Sequence, residues 1–477
     1  MAEEVKKENG AVAANQPQIL GVVFMGVLMS ALDIAIVGPA LPAIKAEFNL
    51  TDRILPWILN AYFLMNLAGR PALGKLSDIL GRRMVLASSA VLYGLGALIT
   101  ALSPSFALLM VGRALQGFGA GGIFPVASAA VTDFLPAEKR GRILHIIGTT
   151  GAFIFIVGLP LGSLLMALGW RWIFGLGVPV AFVVALASIS SLPSTPRAKV
   201  KPFDLVGLVL LIILMSFLAM GLNLVEWSNP VASFKTIQVW PLFLIAAIIY
   251  PIFKMVEARA EEPSVRPKIL GNWRMALGAH IALGTGLLQV GIVFMPLFVV
   301  VVLGIRDYMA GLMLLPLVAA MALATPLFNT IGGKTGTRIA ITGGALMASV
   351  GYLMLGLFTP GNALFYLASS ITGAGIIALL GPSLRHKAIS NLPAVDHPTA
   401  QRVMYLYVSM GRLLGAAAIG AIAASGKDIV VGYRNAFAVL GVLSGVIALG
   451  SLLLTTGKSP DAPPAPATPA TPPAKTA

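Results

Sequence analysis

Three charged side chains sit where charge is most costly. Asp33, Arg113 and Arg412 each lie well inside a long run of apolar residues. An ionisable group held at membrane depth costs at least a few kcal/mol, so such groups mark functional sites by default. A carboxylate can take up and release a proton, whereas a guanidinium stays protonated at any accessible pH and can only steer that exchange. Asp33 is therefore the candidate proton carrier, with Arg113 and Arg412 as its modulators. The residues leave a simpler role open, in which Asp33 and Arg113 form a fixed ion pair that locks two helices together.

The runs that hold these charges dominate the chain. Of 477 residues, 57% are hydrophobic and 11% charged, and the mean hydropathy is +0.90. A soluble domain carries about 25% charged residues, so an ordinary soluble enzyme is excluded. The chain has no cysteine, which removes disulfides, thiol catalysis and thiolate metal sites. His145, His280, His386 and His397 show no carboxylate–histidine spacing suited to a metal. No phosphate-cradling Gly-x-x-x-x-Gly-Lys-Ser/Thr stretch is present, which argues against ATP-driven work. Neither enzymatic activity nor a metal or organic cofactor is expected, and the coupling ion would be a proton.

A spanning helix needs about 20 apolar residues. Fourteen such segments are expected, near 18–43, 54–77, 84–102, 105–133, 143–166, 172–192, 204–225, 238–256, 274–302, 308–330, 339–358, 362–384, 401–424 and 435–455. Membrane barrels show ten-residue alternation, and these runs are continuous. The net charge is +15, yet the basic residues sit in short connectors, which points to membrane topology and away from nucleic acid. With the N-terminus in the cytoplasm, 23 of the 33 Lys and Arg sort to the cytoplasmic side and seven to the outside. That bias predicts both termini inside. The first 16 residues are polar and lead into a run longer than a signal-peptide core, so no cleavable signal is expected.

The chain repeats itself. Pro71, Gly81 and Arg83 recur as Pro326, Gly336 and Arg338 at an offset of 255, and Gly117 and Gly119 recur as Gly373 and Gly375 at 256. Two matches in the same order predict parallel six-helix halves. The organisation expected is a cytoplasmic tail (1–16), a first six-helix bundle (17–192), two extra helices with linkers (193–272), a second six-helix bundle (273–456) and a Pro/Ala-rich disordered tail (457–477).

Several stretches carry recognisable motifs. Gly74-Lys-Leu-Ser-Asp78-Ile-Leu-Gly81-Arg82-Arg83 lies between the second and third segments. Gly74 and Gly81 suit close helix approach and a tight turn, Asp78 can meet a helix N-terminus in one conformation and release it in another, and Arg82 and Arg83 can bridge to carboxylates. This stretch resembles the signature loop of the major facilitator superfamily. Leu32-Asp33-Ile-Ala-Ile-Val-Gly-Pro-Ala-Leu-Pro42, Arg113-Ala-Leu-Gln116-Gly117-Phe-Gly119 and Trp170-Arg-Trp-Ile-Phe174 are similar to motifs of its fourteen-helix drug/proton antiporter branch. In the fifth segment that branch has Gly-Pro, two residues and Gly-Gly. Here Gly158, Pro160 and Gly162 stand instead, still small enough for tight packing.

The resemblance implies a proton-coupled exporter of hydrophobic or amphiphilic small molecules, working as a monomer in a bacterial-type plasma membrane by alternating access. A lipid or lipid-precursor transporter of the same fold is the alternative. Counted at ~1.5 Å per residue from the expected outer ends, Asp33, Arg113 and Arg412 lie about 15, 12 and 18 Å deep. Arg70 lies about 24 Å deep on the same count, close enough to the cytoplasmic face to snorkel there in a structural role.

Overall fold

The computed structural model describes residues 16–194, 204–261, 267–334, 337–358, 361–381 and 396–454, with Leu384, Ala388, Ile389, Leu392 and Pro393 between. The two terminal tails, Gly336 and His386 lie outside the described residues.

Among the described residues the chain is helical, with no strand. The first bundle contains α1 (Gln16–Ile36), α2 (Trp57–Leu80), α3 (Arg82–Ala101), α4 (Phe106–Phe134), α5 (Ala137–Met166) and α6 (Gly177–Ser191), the last preceded by a short turn at Trp170–Gly175. Next come α7 (Leu205–Leu224) and α8 (Trp240–Arg259), which pack on each other. The second bundle contains α9 (Trp273–Leu303), α10 (Leu315–Lys334), α11 (Thr337–Leu357), α12 (Asn362–Leu380), α13 (His397–Ala424) and α14 (Ile429–Leu452). Helices of each bundle pack chiefly among themselves.

The boundaries follow from local chemistry. Ser105, Asp204, Asn272 and Asp428 cap their helices by accepting bonds from backbone N–H groups of the first turn. Gly81 separates α2 from α3 at φ 93°, a conformation costly for any residue with a Cβ. Large apolar side chains such as Leu164, Phe182, Leu323 and Leu449 face outward, as a lipid-facing surface requires.

By length and composition, twelve helical stretches among the described residues can cross a membrane, not the fourteen expected. The two missing are α2 and α5, of 24 and 30 residues. In α2 the physical reason is polarity, since it carries Asn60, Asn66, Arg70, Lys75 and Asp78; in α5 the apolar stretch among the described residues is Ile154–Met166.

The repeat detected in the sequence is a packing repeat. A Cβ at Gly117 would stand 2.8 Å from Tyr62 Cα on α2, and one at Gly119 would stand 2.6 Å from the Ser89 carbonyl on α3. In the second bundle, a Cβ at Gly373 would stand 2.9 Å from the Leu317 carbonyl on α10, and one at Gly375 would stand 3.0 Å from Ala348 Cα on α11. Each Gly-x-Gly lets one helix press its backbone against two neighbours at once.

Candidate functional site

The first charge centre joins α1 to α4. Asp33 is 3% exposed and Arg113 fully buried, and Arg113 Nη1 donates to Asp33 Oδ2 at 2.8 Å. Gln116 Nε2 donates to Asp33 Oδ1 at 2.6 Å, and the Tyr93 hydroxyl donates to the same oxygen at 3.3 Å. Arg113 also donates from Nε to the Ile58 carbonyl at 3.2 Å and from Nη1 to Gln116 Oε1 at 2.9 Å. Its guanidinium lies 4.5 Å from the Tyr62 ring centroid and 5.4 Å from that of Phe174. Arg113 and Gln116 sit three residues apart, hence on one face of α4. The motif spacing therefore delivers both to the same carboxylate.

The ion pair is present, but it is not a fully satisfied lock. Arg113 Nη2 is buried without an acceptor, and both polar atoms of buried Asn60 have no partner. An orphaned buried polar group costs about 1–3 kcal/mol, which an element serving only stability has no reason to carry.

Arg412 is placed elsewhere. It forms no ion pair with Asp33, and its Nε donates to Gln289 Oε1 on α9 at 2.6 Å. Arg70 Nε donates to Asn66 Oδ1 at 3.0 Å. Gly420 of α13 abuts Pro56 at the start of α2, so from that common level Arg70 lies 14 residues along its helix and Arg412 eight, which puts Arg70 nearer the Asp78 end. Phe124 of α4 and Tyr405 of α13, with ring centroids 5.0 Å apart, also join the bundles.

The signature loop forms its own network. Arg82 pairs with Asp78 and with Asp133 at 2.9 Å, and it donates to Ser77 Oγ at 2.6 Å. Asp133, near the end of α4, is the second carboxylate that Arg82 reaches. Among the described residues no ion pair involves Arg83. Gly74 packs against Pro125, where a Cβ would meet ordinary van der Waals distance. Gly158 and Gly162 bring α5 onto α1, with Ala35 and Ile36 as the surfaces approached, while Pro160 stays half-buried between them.

The two bundles meet tightly at the end far from Asp78. There Tyr433 reaches Asp52, Gly420 abuts Pro56, Gly38 abuts the Val293 carbonyl, and Gly311 abuts Ser163. A further clamp at that end was not read from the sequence. Glu47 accepts two bonds from Arg171, at 2.7 and 2.9 Å, and one from Trp170 Nε1 at 2.6 Å. Hydrogen bonding from Arg171 holds the Glu47 carboxyl below the usual carboxylate range. Among the described residues no cluster of His, Asp or Glu could hold a metal. His280 and His397 bond to nearby backbone carbonyls, at 2.7 and 3.0 Å.

Comparison with known proteins agrees with this architecture. The sequence profile of the Major Facilitator Superfamily matches residues 23–416. The chain is 27% identical to multidrug resistance protein 3 of Bacillus subtilis, over 75% of this chain and 70% of that one. It is 29% identical to a triacylglyceride transporter of Mycolicibacterium smegmatis, over 83% and 74%. Among solved structures, it is similar to a bacterial homologue of the human lysosomal transporter Spinster in an inward-facing, occupied conformation. The TM-score is 0.67 at 16% identity, covering 92% of this chain and 96% of that one.

Proposed function

The chain belongs to the Major Facilitator Superfamily, and on that premise we propose that it exports hydrophobic or amphiphilic small molecules in exchange for protons. It is a multi-pass protein of the cell membrane and a transporter, not an enzyme. In this reading α2 and α5 also cross the membrane, giving fourteen spans with both termini in the cytoplasm. Their polar faces then line the space between the bundles. The end that carries Tyr433 and Asp52 is the outer one, and the structure is closed there.

The observation that carries the reading is the buried Asp33–Arg113 pair with its orphaned Nη2. Burial penalises the charged carboxylate, and the guanidinium offsets that penalty only while it stays in place. A shift of the Arg113 guanidinium away from Asp33 during the cycle would change the preference of Asp33 for its proton. In the cycle, outside protons neutralise Asp33, the bundles rock, and return of Arg113 or arrival of cargo expels the proton inward. Each proton moved inward gains about 2.3 kcal/mol per 100 mV before any pH gradient is counted. Uptake into inverted vesicles, driven by a pH gradient and abolished by a protonophore, is the expected result. Uptake that ignores the gradient would refute coupling.

Lipid export is the second reading, favoured by the relative named as a triacylglyceride transporter. A vesicle lipid-transfer assay separates it from drug export.

A further inference from the structure

The helices between the two bundles, α7 and α8, reach both bundles at one end of the molecule. α7 packs on α2 and on α13, one from each bundle, and α8 packs on α7. Asn223, in the last turn of α7, is 3% exposed and grips the entry of α2. Its Nδ2 donates to the Arg53 carbonyl at 3.0 Å, its Oδ1 accepts from Trp57 Nε1 at 3.3 Å, and its own carbonyl accepts from Arg53 Nη1 at 3.1 Å. Four residues further on, the Trp227 backbone N–H donates to Ser425 Oγ at 2.9 Å, at the C-terminal cap of α13. Arg53 follows Asp52, and Ser425 lies five residues beyond Gly420, so both grips sit at the closed end of the molecule.

Among the described residues, Asn223 is the one residue of α7 whose side chain bonds another element, since Asp204 and Ser216 bond within their own helix. The polar link is therefore confined to this end. Its two sides are unequal. Towards the first bundle one buried residue makes three bonds, beside an exposed Arg53–Glu226 pair at 3.3 Å that adds little. Towards the second bundle there is a single bond, and the Trp227 ring N–H is buried without an acceptor. A link of this kind holds only as well as its weaker side, because the two grips act in series. We propose that the tip of α7 is a latch across the outer seam, tying the entry of α2 to the end of α13 while the outside is closed. This rests on the transport reading, which makes this end the outer one, and it gives the inserted helices a task in the cycle. When the bundles rock and Pro56 leaves Gly420, the stronger grip keeps the tip with α2 and the Trp227–Ser425 bond breaks. The latch has no counterpart from α7 at the Asp78 end among the described residues, so it biases the resting state towards outside-closed.

The test measures spin-label distances across the Asp52 end of the full-length protein in lipid nanodiscs, with one label on each bundle. The chain has no cysteine, so labels attach only where a cysteine is introduced. N223L keeps a similar volume and removes both side-chain bonds, and S425A removes the acceptor for Trp227. Losing one or two hydrogen bonds shifts a two-state equilibrium by about two- to tenfold, so each variant should enrich the open distances by about that factor. Labels at the Asp78 end should show the opposite change. Because the grips act in series, the double variant should open less than the product of the single effects, whereas unconnected losses multiply. Melting temperature reports folding. If N223L does not fold, W57F removes one of the Asn223 bonds and completes the same cycle with S425A. Single variants that match wild type, or a double variant that multiplies the single effects, overturn the latch. Wild-type distances that respond to acidic against alkaline pH but not to the substitutions overturn the latch and leave the transport reading standing. Wild-type distances fixed at both ends at every pH overturn alternating access and the latch together.

Discussion

The Tyr433 hydroxyl of α14 donates a 2.8 Å hydrogen bond to Asp52, the carboxylate that also pairs with Lys45 at 2.6 Å. One bond thus ties the second bundle to the entry of α2 at the closed end of the molecule. A hydrogen bond to a charged group contributes about 1.5–3 kcal/mol. Tyr433→Phe should therefore shift the population several-fold or more towards opening at this end. Spin-label distances across the Asp52 end, with labels on the two bundles, are the measurement. A distribution unchanged from wild type means that packing around Gly420 and Gly38 closes this end unaided.

The opposite end should respond with the other sign. In this structure Asp78 is held by Arg82 on its own bundle, while Arg82 also holds Asp133. If Asp78 caps a helix of the second bundle when that end closes, Asp78→Asn weakens the closed form by about 0.3–2 kcal/mol. The population then moves towards the state seen here. Labels flanking Asp78 and the second bundle should show the longer distances enriched. An unaltered distribution leaves Asp78 as a partner of Arg82 alone.

Close approach at the glycines sets the fold's tolerance. Gly117→Ala drives a Cβ against the Tyr62 backbone, where nothing flexible can yield, whereas Gly21→Ala has no heavy atom within 4 Å. The first should lower stability by about 1–3 kcal/mol and the second should be near neutral. Thermal unfolding of the two purified variants compares them directly. Equal melting temperatures would contradict the packing assigned to the Gly-x-Gly repeat.

These same residues show why much of the architecture could be read in advance. A glycine spared a Cβ, a lone Asp and a lone Arg in apolar runs are each costly or restrictive enough to leave a trace in sequence. Gln116 lay in a quoted motif, and its position one helical turn from Arg113 explains its bond to Asp33. Tyr93 was missed because a tyrosine in an apolar run resembles packing until its hydroxyl is seen to reach Asp33. The Glu47–Arg171 clamp was missed because charges at helix ends resemble solvated ones.

Cargo charge provides a further expectation. With Asp33 committed to Arg113 and no Asp or Glu in α12, a dication finds no spare carboxylate at these positions. Dications should be exported at least about tenfold less well than neutral or anionic amphiphiles of similar size, given the cost of unpaired charge in a dry site. Paired resistance or efflux assays with mono- and dicationic dyes of one scaffold would decide. Equal export of both would remove the electrostatic filter.

The central claim is that Asp33 carries the proton. It is tested most directly by pH-gradient-driven uptake into inverted vesicles, for wild type and Asp33→Asn at matched protein levels, with melting temperature as the folding control. Asn keeps the shape and cannot exchange a proton; its single carbonyl oxygen can accept from Arg113 or from Gln116, while its NH2 takes the place of the other carboxylate oxygen. The account predicts that Asp33→Asn folds and loses uphill accumulation entirely. Wild-type accumulation by Asp33→Asn would contradict it, leaving the Asp33–Arg113 pair as a lock between α1 and α4.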